Sequence, residues 1–136
     1  MPILRYAALL AAALPLAAAA AQDPPAPGED PAAFADSLEA CEPAVLKIPH
    51  PLVRPFIITH TVQGVQDGRC RYEQTMPSDL TMECAFSEEG RKAMAGEIRK
   101  LAGDTHLHGS TKGPQPVWAK ECEIVTADGK RTPFGR

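Results

Sequence analysis

Residues 56–86, FIITHTVQGVQDGRCRYEQTMPSDLTMECAF, decide the fold of this chain. Apolar and polar side chains alternate along three runs, and this alternation places every second side chain on the same face of a strand. Two short turn-forming segments, QDG at 66–68 and PSD at 77–79, separate the runs. The pattern predicts a three-strand antiparallel meander made of Phe56–Val65, Arg69–Met76 and Leu80–Phe86.

The lengths of the two turns determine which residues face each other. With three-residue loops at both turns, and Gly68 in the left-handed conformation, most large apolar side chains fall on one face. That face contains Phe56, Ile58, His60, Val62, Cys70, Tyr72, Gln74, Met76, Leu80, Met82, Cys84 and Phe86. A two-residue Asp67–Gly68 turn would mix the two faces, so we expect the longer loop.

The opposite face of the predicted meander is mostly polar. It carries Ile57, Thr59, Thr61, Gln63, Arg69, Arg71, Glu73, Thr75, Thr81, Glu83 and Ala85. On this solvated face we expect Arg69 and Arg71 to form cross-strand charge pairs with Glu73 and Glu83. Such a polar surface could bind a partner molecule.

A helix is predicted on each side of the meander. The first begins with Asp30 as its cap and Pro31 at its first position, and it ends before Pro43. The second is capped by Ser87 and stops at Gly103. Each has an apolar stripe at helical spacing, made of Phe34, Leu38 and Cys41 in the first helix and Met94, Ile98 and Leu101 in the second.

The remaining segments complete the predicted fold. Pro43–Pro55 carries four prolines, which lack an amide donor, and it is therefore expected to be an extended crossing loop. Asp104–Pro116 is a polar loop, Val117–Thr126 a last strand, and 128–136 a loose tail. The predicted class is α+β: helix, three-strand antiparallel meander, helix, then a further strand, in two layers stapled by disulfides.

The first residues predict an export signal. Residues 7–21 are almost entirely Ala and Leu, and Ala19–Ala21 fits the small-x-small rule for signal peptidase. The run is too short, and too interrupted by Pro15, for a membrane anchor, which needs about 20 apolar residues. We therefore expect a signal peptide at 1–21, a flexible Pro-rich linker at 22–30 and a single α+β domain at 31–127. The protein is predicted to be periplasmic or secreted.

Charge and motifs argue against several classes of function. The formal net charge is −3 at pH 7 with both signs interspersed, whereas nucleic-acid-binding domains carry a strong basic bias. No serine lies in a GxSxG motif, and no glycine-rich phosphate loop is present. These patterns favour a protein that is not an enzyme and has no nucleic-acid partner.

The four cysteines, Cys41, Cys70, Cys84 and Cys122, all follow the leader. An even number in a small exported domain is typical of disulfides. In the predicted register Cys70 and Cys84 are diagonal neighbours, about 7–8 Å apart, slightly beyond the usual disulfide range of about 4.4–6.8 Å. We favour Cys70–Cys84 with Cys41–Cys122; the alternative pairs Cys41 with one strand cysteine and Cys122 with the other. A four-cysteine zinc site would need close pairs such as CxxC, which the sequence lacks.

The histidines suggest a metal site. His106 and His108 form a His-x-His pattern that projects both rings to the same side of an extended loop. Either His50, His60 or the Asp104 carboxylate could complete a site for Cu or Zn. The alternative is a solvated polar loop that happens to contain two histidines.

One row of the predicted core face contains His60, Gln74 and Met82. It admits three interpretations: a copper site of His and Met ligands, a core in which His60 bonds Gln74 while methionines fill gaps, or a groove for a small ligand.

These observations lead to a functional prediction. The protein is expected to be a small exported, non-enzymatic module that binds a protein or an envelope component, without a cofactor and without a membrane span after signal cleavage. The alternative is a periplasmic Cu- or Zn-binding protein that uses the His-x-His loop with His106, His108 and His60. A hydrolase is a third option, for which the sequence indicates no site residue.

Overall fold

The computed structural model describes residues 26–103 and 114–134 of the chain. These residues form a mixed seven-stranded sheet whose strands lie side by side in sequence order, and both α-helices pack on one of its faces. The strands are β1 (Pro27–Gly28), β2 (Ala44–Pro49), β3 (Ile57–Gln66), β4 (Arg69–Met76), β5 (Leu80–Phe86), β6 (Cys122–Val125) and β7 (Arg131–Pro133). The helices are α1 (Pro31–Ala40), α2 (Glu88–Gly103) and a short 3-10 helix over Val117–Glu121.

The predicted order of helix, three-strand meander, helix and one further strand is wrong, because further strands extend the sheet at both edges. β2 lies in the segment expected to be a crossing loop, and it pairs antiparallel with β3. Its prolines do not interrupt it: Pro43 precedes the strand and Pro49 is its last residue. A strand tolerates proline at such ends.

The two outermost strands also fall in segments expected to lack structure. β1, within the predicted linker, pairs in parallel with Val45 and Leu46 of β2. β7, within the predicted loose tail, pairs antiparallel with β6. Both are short and exposed, so no alternation of apolar residues marks them in the sequence. The predicted signal peptide at 1–21 lies outside the described residues.

The register of β4 against β5 is the one the sequence predicts, with Tyr72 opposite Cys84 and Gln74 opposite Met82. Between β3 and β4 the prediction fails near the turn. A bulge shifts the register between Val62 and Gly64, and Asp67–Gly68 forms a two-residue turn in which both residues have positive φ, 52° and 73°. The bulge absorbs the one-residue offset, so the shorter turn does not mix the two faces.

The ends of α1 lie where the sequence places them. The Asp30 carboxylate accepts a hydrogen bond from the amide of Ala32 at 2.9 Å. At the other end Cys41 adopts the left-handed conformation, and its amide donates to the carbonyl of Leu38 at 3.1 Å. The turn so formed directs the chain from α1 into β2.

The last strand is shorter than predicted, because Val117–Glu121 forms a 3-10 helix and β6 begins only at Cys122. The half-buried Trp118 ring stacks on Phe134 with 5.5 Å between centroids. The amide of Phe134 also donates to the carbonyl of Cys122 at 2.9 Å. These contacts attach the chain beyond residue 128 to the sheet.

The core lies between the two helices and the inner face of the sheet. The buried side chains are Phe34, Ala35, Leu38, Cys41, Leu46, Val62, Cys70, Tyr72, Met82, Cys84, Phe86, Met94, Ala95, Ile98 and Cys122. The two α-helices and the sheet therefore form two layers, and neither α1 nor α2 packs on the second face of the sheet.

Candidate functional site

Two disulfides, Cys41–Cys70 and Cys84–Cys122, lie in the core. The favoured pairing of Cys70 with Cys84 and Cys41 with Cys122 is wrong, and the alternative pairing is formed. The physical reason is the place of β6: it lies beside β5 and puts Cys122 directly opposite Cys84, with 4.1 Å between Cα atoms. Cys70 then pairs with Cys41 at the end of α1, with 5.7 Å between Cα atoms.

The proposed metal ligands are not brought together among the described residues. His106 and His108 lie outside those residues. His60 is buried, with 3% of its surface exposed, and His50 uses its Nδ1 to accept hydrogen bonds from the amides of Leu52 and Val53. In the described parts of the chain no three His, Cys, Asp or Glu residues are placed to hold a metal ion. The His-x-His site stays a prediction.

His60, Tyr72 and Gln74 form a hydrogen-bonded chain inside the core. The Tyr72 hydroxyl donates to Gln74 Oε1 at 3.1 Å and lies 2.7 Å from His60 Nδ1. Because a hydroxyl has one proton, His60 must donate from Nδ1 in this arrangement, which leaves Nε2 as an acceptor. That Nε2 is buried and has no partner among the described residues.

Burial keeps the side chains of His60 and Tyr72 neutral. It lowers the pKa of His60 to about 4 and raises the pKa of Tyr72, because desolvation disfavours the charged form of each group. His60, Gln74 and Met82 do lie in one row, but His60 and Met82 are each only 3% exposed. Because these two side chains are buried, the row does not form the small-ligand groove considered from the sequence.

The face of the sheet opposite α1 and α2, called here the open face, carries Thr61, Arg71, Glu73, Thr81 and Glu83. Among the described residues it contains the clearest candidate site. A groove of about 450 Å³ runs across β4 to β7 and the 3-10 helix. Its charged lining residues are Arg69, Arg71, Lys120 and Arg131, with Glu83, Glu121 and Glu123. We call it the charged groove.

Ion pairs inside the charged groove use all three of its carboxylates. Glu121 lies 3.3 Å from Arg69. Arg131 bridges two strands, with Glu83 at 2.8 Å and Glu123 at 3.2 Å. The hydrogen bonds with these two carboxylates raise the pKa of Arg131. The expected pairing of Arg69 and Arg71 with Glu73 and Glu83 is therefore wrong, since Arg69 and Glu83 take partners from later elements.

Arg71 occupies a special position on this face. It lines both the charged groove and a second groove of about 210 Å³, which also includes Gln63 and Glu73. Gln63 Nε2 donates to Glu73 Oε2 at 3.2 Å. Within the described residues, neither Arg71 nor Lys120 has a carboxylate partner.

Glu121 is held in the groove wall by the start of α2. Its Oε2 accepts a hydrogen bond from the amide of Ser87 at 2.9 Å, while the Ser87 hydroxyl caps the helix by accepting from the amide of Gly90 at 3.1 Å. A Cβ at Gly90 would overlap the Glu121 carboxylate. The sequence carries no signal for this contact, because Glu121 lies 34 residues from Ser87.

Comparisons with protein-family models, curated proteins and solved structures found no match for this chain. The search for membrane-spanning helices in the described part of the chain found none of sufficient length and apolarity. The function must therefore be argued from the site itself.

Proposed function

We propose that this protein is a small exported, non-enzymatic module that binds a protein or an envelope component through the open face of its sheet. The observation that supports this proposal is the contrast between the two faces of the sheet. The two α-helices cover one face, while the other presents a charged groove. Side chains on paired strands are held in fixed positions, which lowers the cost of ordering them on binding.

Export is the second part of the proposal. The leader pattern at 1–21 favours secretion to the periplasm or beyond the cell. Disulfides persist in such oxidising compartments and are rare in the cytoplasm. The two buried disulfides fit this placement.

Site-specific photo-crosslinking in an envelope extract tests the binding face. A benzophenone side chain is placed at Thr61 or Thr81, which lie on the open face, and separately at Lys92 on the exposed side of α2. We expect one reproducible adduct, identified by mass spectrometry, from the open-face positions only. An excess of unlabelled protein should compete it away. Adducts of equal yield from Lys92, or none from Thr61 and Thr81, would contradict the proposal.

A further inference from the structure

The charges of the charged groove do not balance. Its four cationic side chains face three carboxylates, and Arg69 and Arg131 already engage all three. Arg71 and Lys120 have no carboxylate partner in the described part of the chain. A groove with two cations of this kind is complementary to an anionic ligand.

Space around Arg71 supports the same conclusion. Across the sheet, Arg71 lies opposite Gly64 of β3 and Ala85 of β5. Neither of these directly opposite neighbours has a long side chain that would fill the space beside Arg71. A guanidinium can bind a carboxylate through two parallel hydrogen bonds.

From these observations we infer that the charged groove binds an acidic segment of a partner protein, whose carboxylates are held by Arg71 and Lys120. The inference rests on the proposed function. Glu73 and Glu83 lie two positions from Arg71 along β4 and across on β5, and their charges disfavour a phosphate dianion more than a single carboxylate. Arg71 also joins two adjoining grooves, which suits an extended chain better than a compact ion.

A direct binding experiment tests this assignment. The probe is a fluorescein-labelled peptide of alternating glutamate and serine, and the control peptide has glutamine in place of glutamate. Fluorescence anisotropy of the mature protein should show binding of the first peptide only, weakened by added salt. Arg71→Gln should weaken it about tenfold or more, the effect of losing a hydrogen bond between charged groups.

Arg54→Gln is the matched control. Arg54 is exposed in the segment between β2 and β3 and has no salt bridge among the described residues, so its replacement removes the same charge away from the groove. It should leave the affinity nearly unchanged. Equal affinity for the two peptides, or equal effects of Arg71→Gln and Arg54→Gln, would overturn the inference.

Further experiments distinguish a failure of the assigned ligand class from a failure of the proposed function. Displacement of the peptide by inorganic phosphate at equal concentration, or binding to vesicles of anionic phospholipid that depends on Arg71, would overturn the assignment to an acidic protein segment. If crosslinking from Thr61 and Thr81 persists in Arg71→Gln, the inference fails while the proposed function stands. If those positions give no adduct at all, the proposed function fails.

Discussion

The two faces of the sheet differ in whether their polar groups are buried or exposed to solvent. On β4, Tyr72 points into the core and is 1% exposed, while its neighbour Arg71 lines the grooves of the open face. On the covered face His60 and Tyr72 are neutral, and hydrogen bonds join them to Gln74, because burying a charge is costly. The open face keeps its charges in contact with water, and Arg69 and Arg131 are held there in ion pairs. This difference implies that stability depends mainly on the covered face, and it leaves the open face for the binding proposed above.

Removal of a disulfide should give the largest effect on the covered face. Cys84→Ala with Cys122→Ala opens a loop with a sequence separation of 38 residues, and the chain-entropy model predicts a loss of about 4 kcal/mol in the free energy of unfolding. Urea denaturation measures it. The matched control, Thr61→Ala with Thr81→Ala on the open face, should change the midpoint little. Equal losses in both double variants would show that stability does not depend mainly on the covered face.

Acidification should lower the free energy of unfolding through the buried His60. Its pKa is about 4 in the folded protein and about 6.5 when unfolded, so the unfolded chain binds more protons between these values. Stability should therefore fall as the pH drops from about 6.5 to 4, by about 3 kcal/mol from this group. Urea denaturation across this range should show a smaller fall for His60→Phe than for the unmodified protein. Parallel curves for the two proteins would contradict this assignment.

Two glycines of α2, Gly90 and Gly96, differ in what surrounds them. Gly90→Ala should displace the Glu121 carboxylate from the Ser87 amide and lower the free energy of unfolding by about 1–2 kcal/mol. Nothing lies within 4 Å of a Cβ added at Gly96, so Gly96→Ala should raise stability by up to about 1 kcal/mol through helix propensity. Thermal or urea unfolding of the two variants should show opposite signs. The same sign in both would show that the Glu121 contact does not determine the outcome.

The smallest effect on stability is expected from the ion pairs of the open face. Arg131→Ala removes the contacts to Glu83 and Glu123, but exposed ion pairs contribute little because water screens them. The midpoint of urea unfolding should stay nearly the same. A shift as large as that of the disulfide variant would show that the open face also determines stability.

Sequence patterning predicted the centre of this fold better than its edges. Alternation and turn length define β4 and β5 and their pairing, since a one-residue slip would bury polar side chains such as Glu73. The bulge near Gly64 escaped prediction because its extra residue and the shorter turn compensate each other. β1 and β7 are too short to show a period, and the prolines around β2 suggested a loop although they lie outside it or at its end.

The candidate site was predicted only in part. Arg71 and Glu83 were placed on the polar face by the alternation of the meander. Their surroundings were not, because Lys120 comes from a 3-10 helix and Arg131 from a strand with no sequence signal. The disulfide pairing failed for the same reason, since it depends on β6 lying beside β5.

Arginine footprinting in an envelope extract shows whether the open face is the binding surface. Phenylglyoxal modifies exposed guanidinium groups, and mass spectrometry compares Arg71 with Arg54 in the mature protein, with and without the extract. If the open face binds the partner, the extract should slow modification of Arg71 severalfold and leave modification of Arg54 unchanged. Equal protection of both residues, or no protection of Arg71, would contradict it.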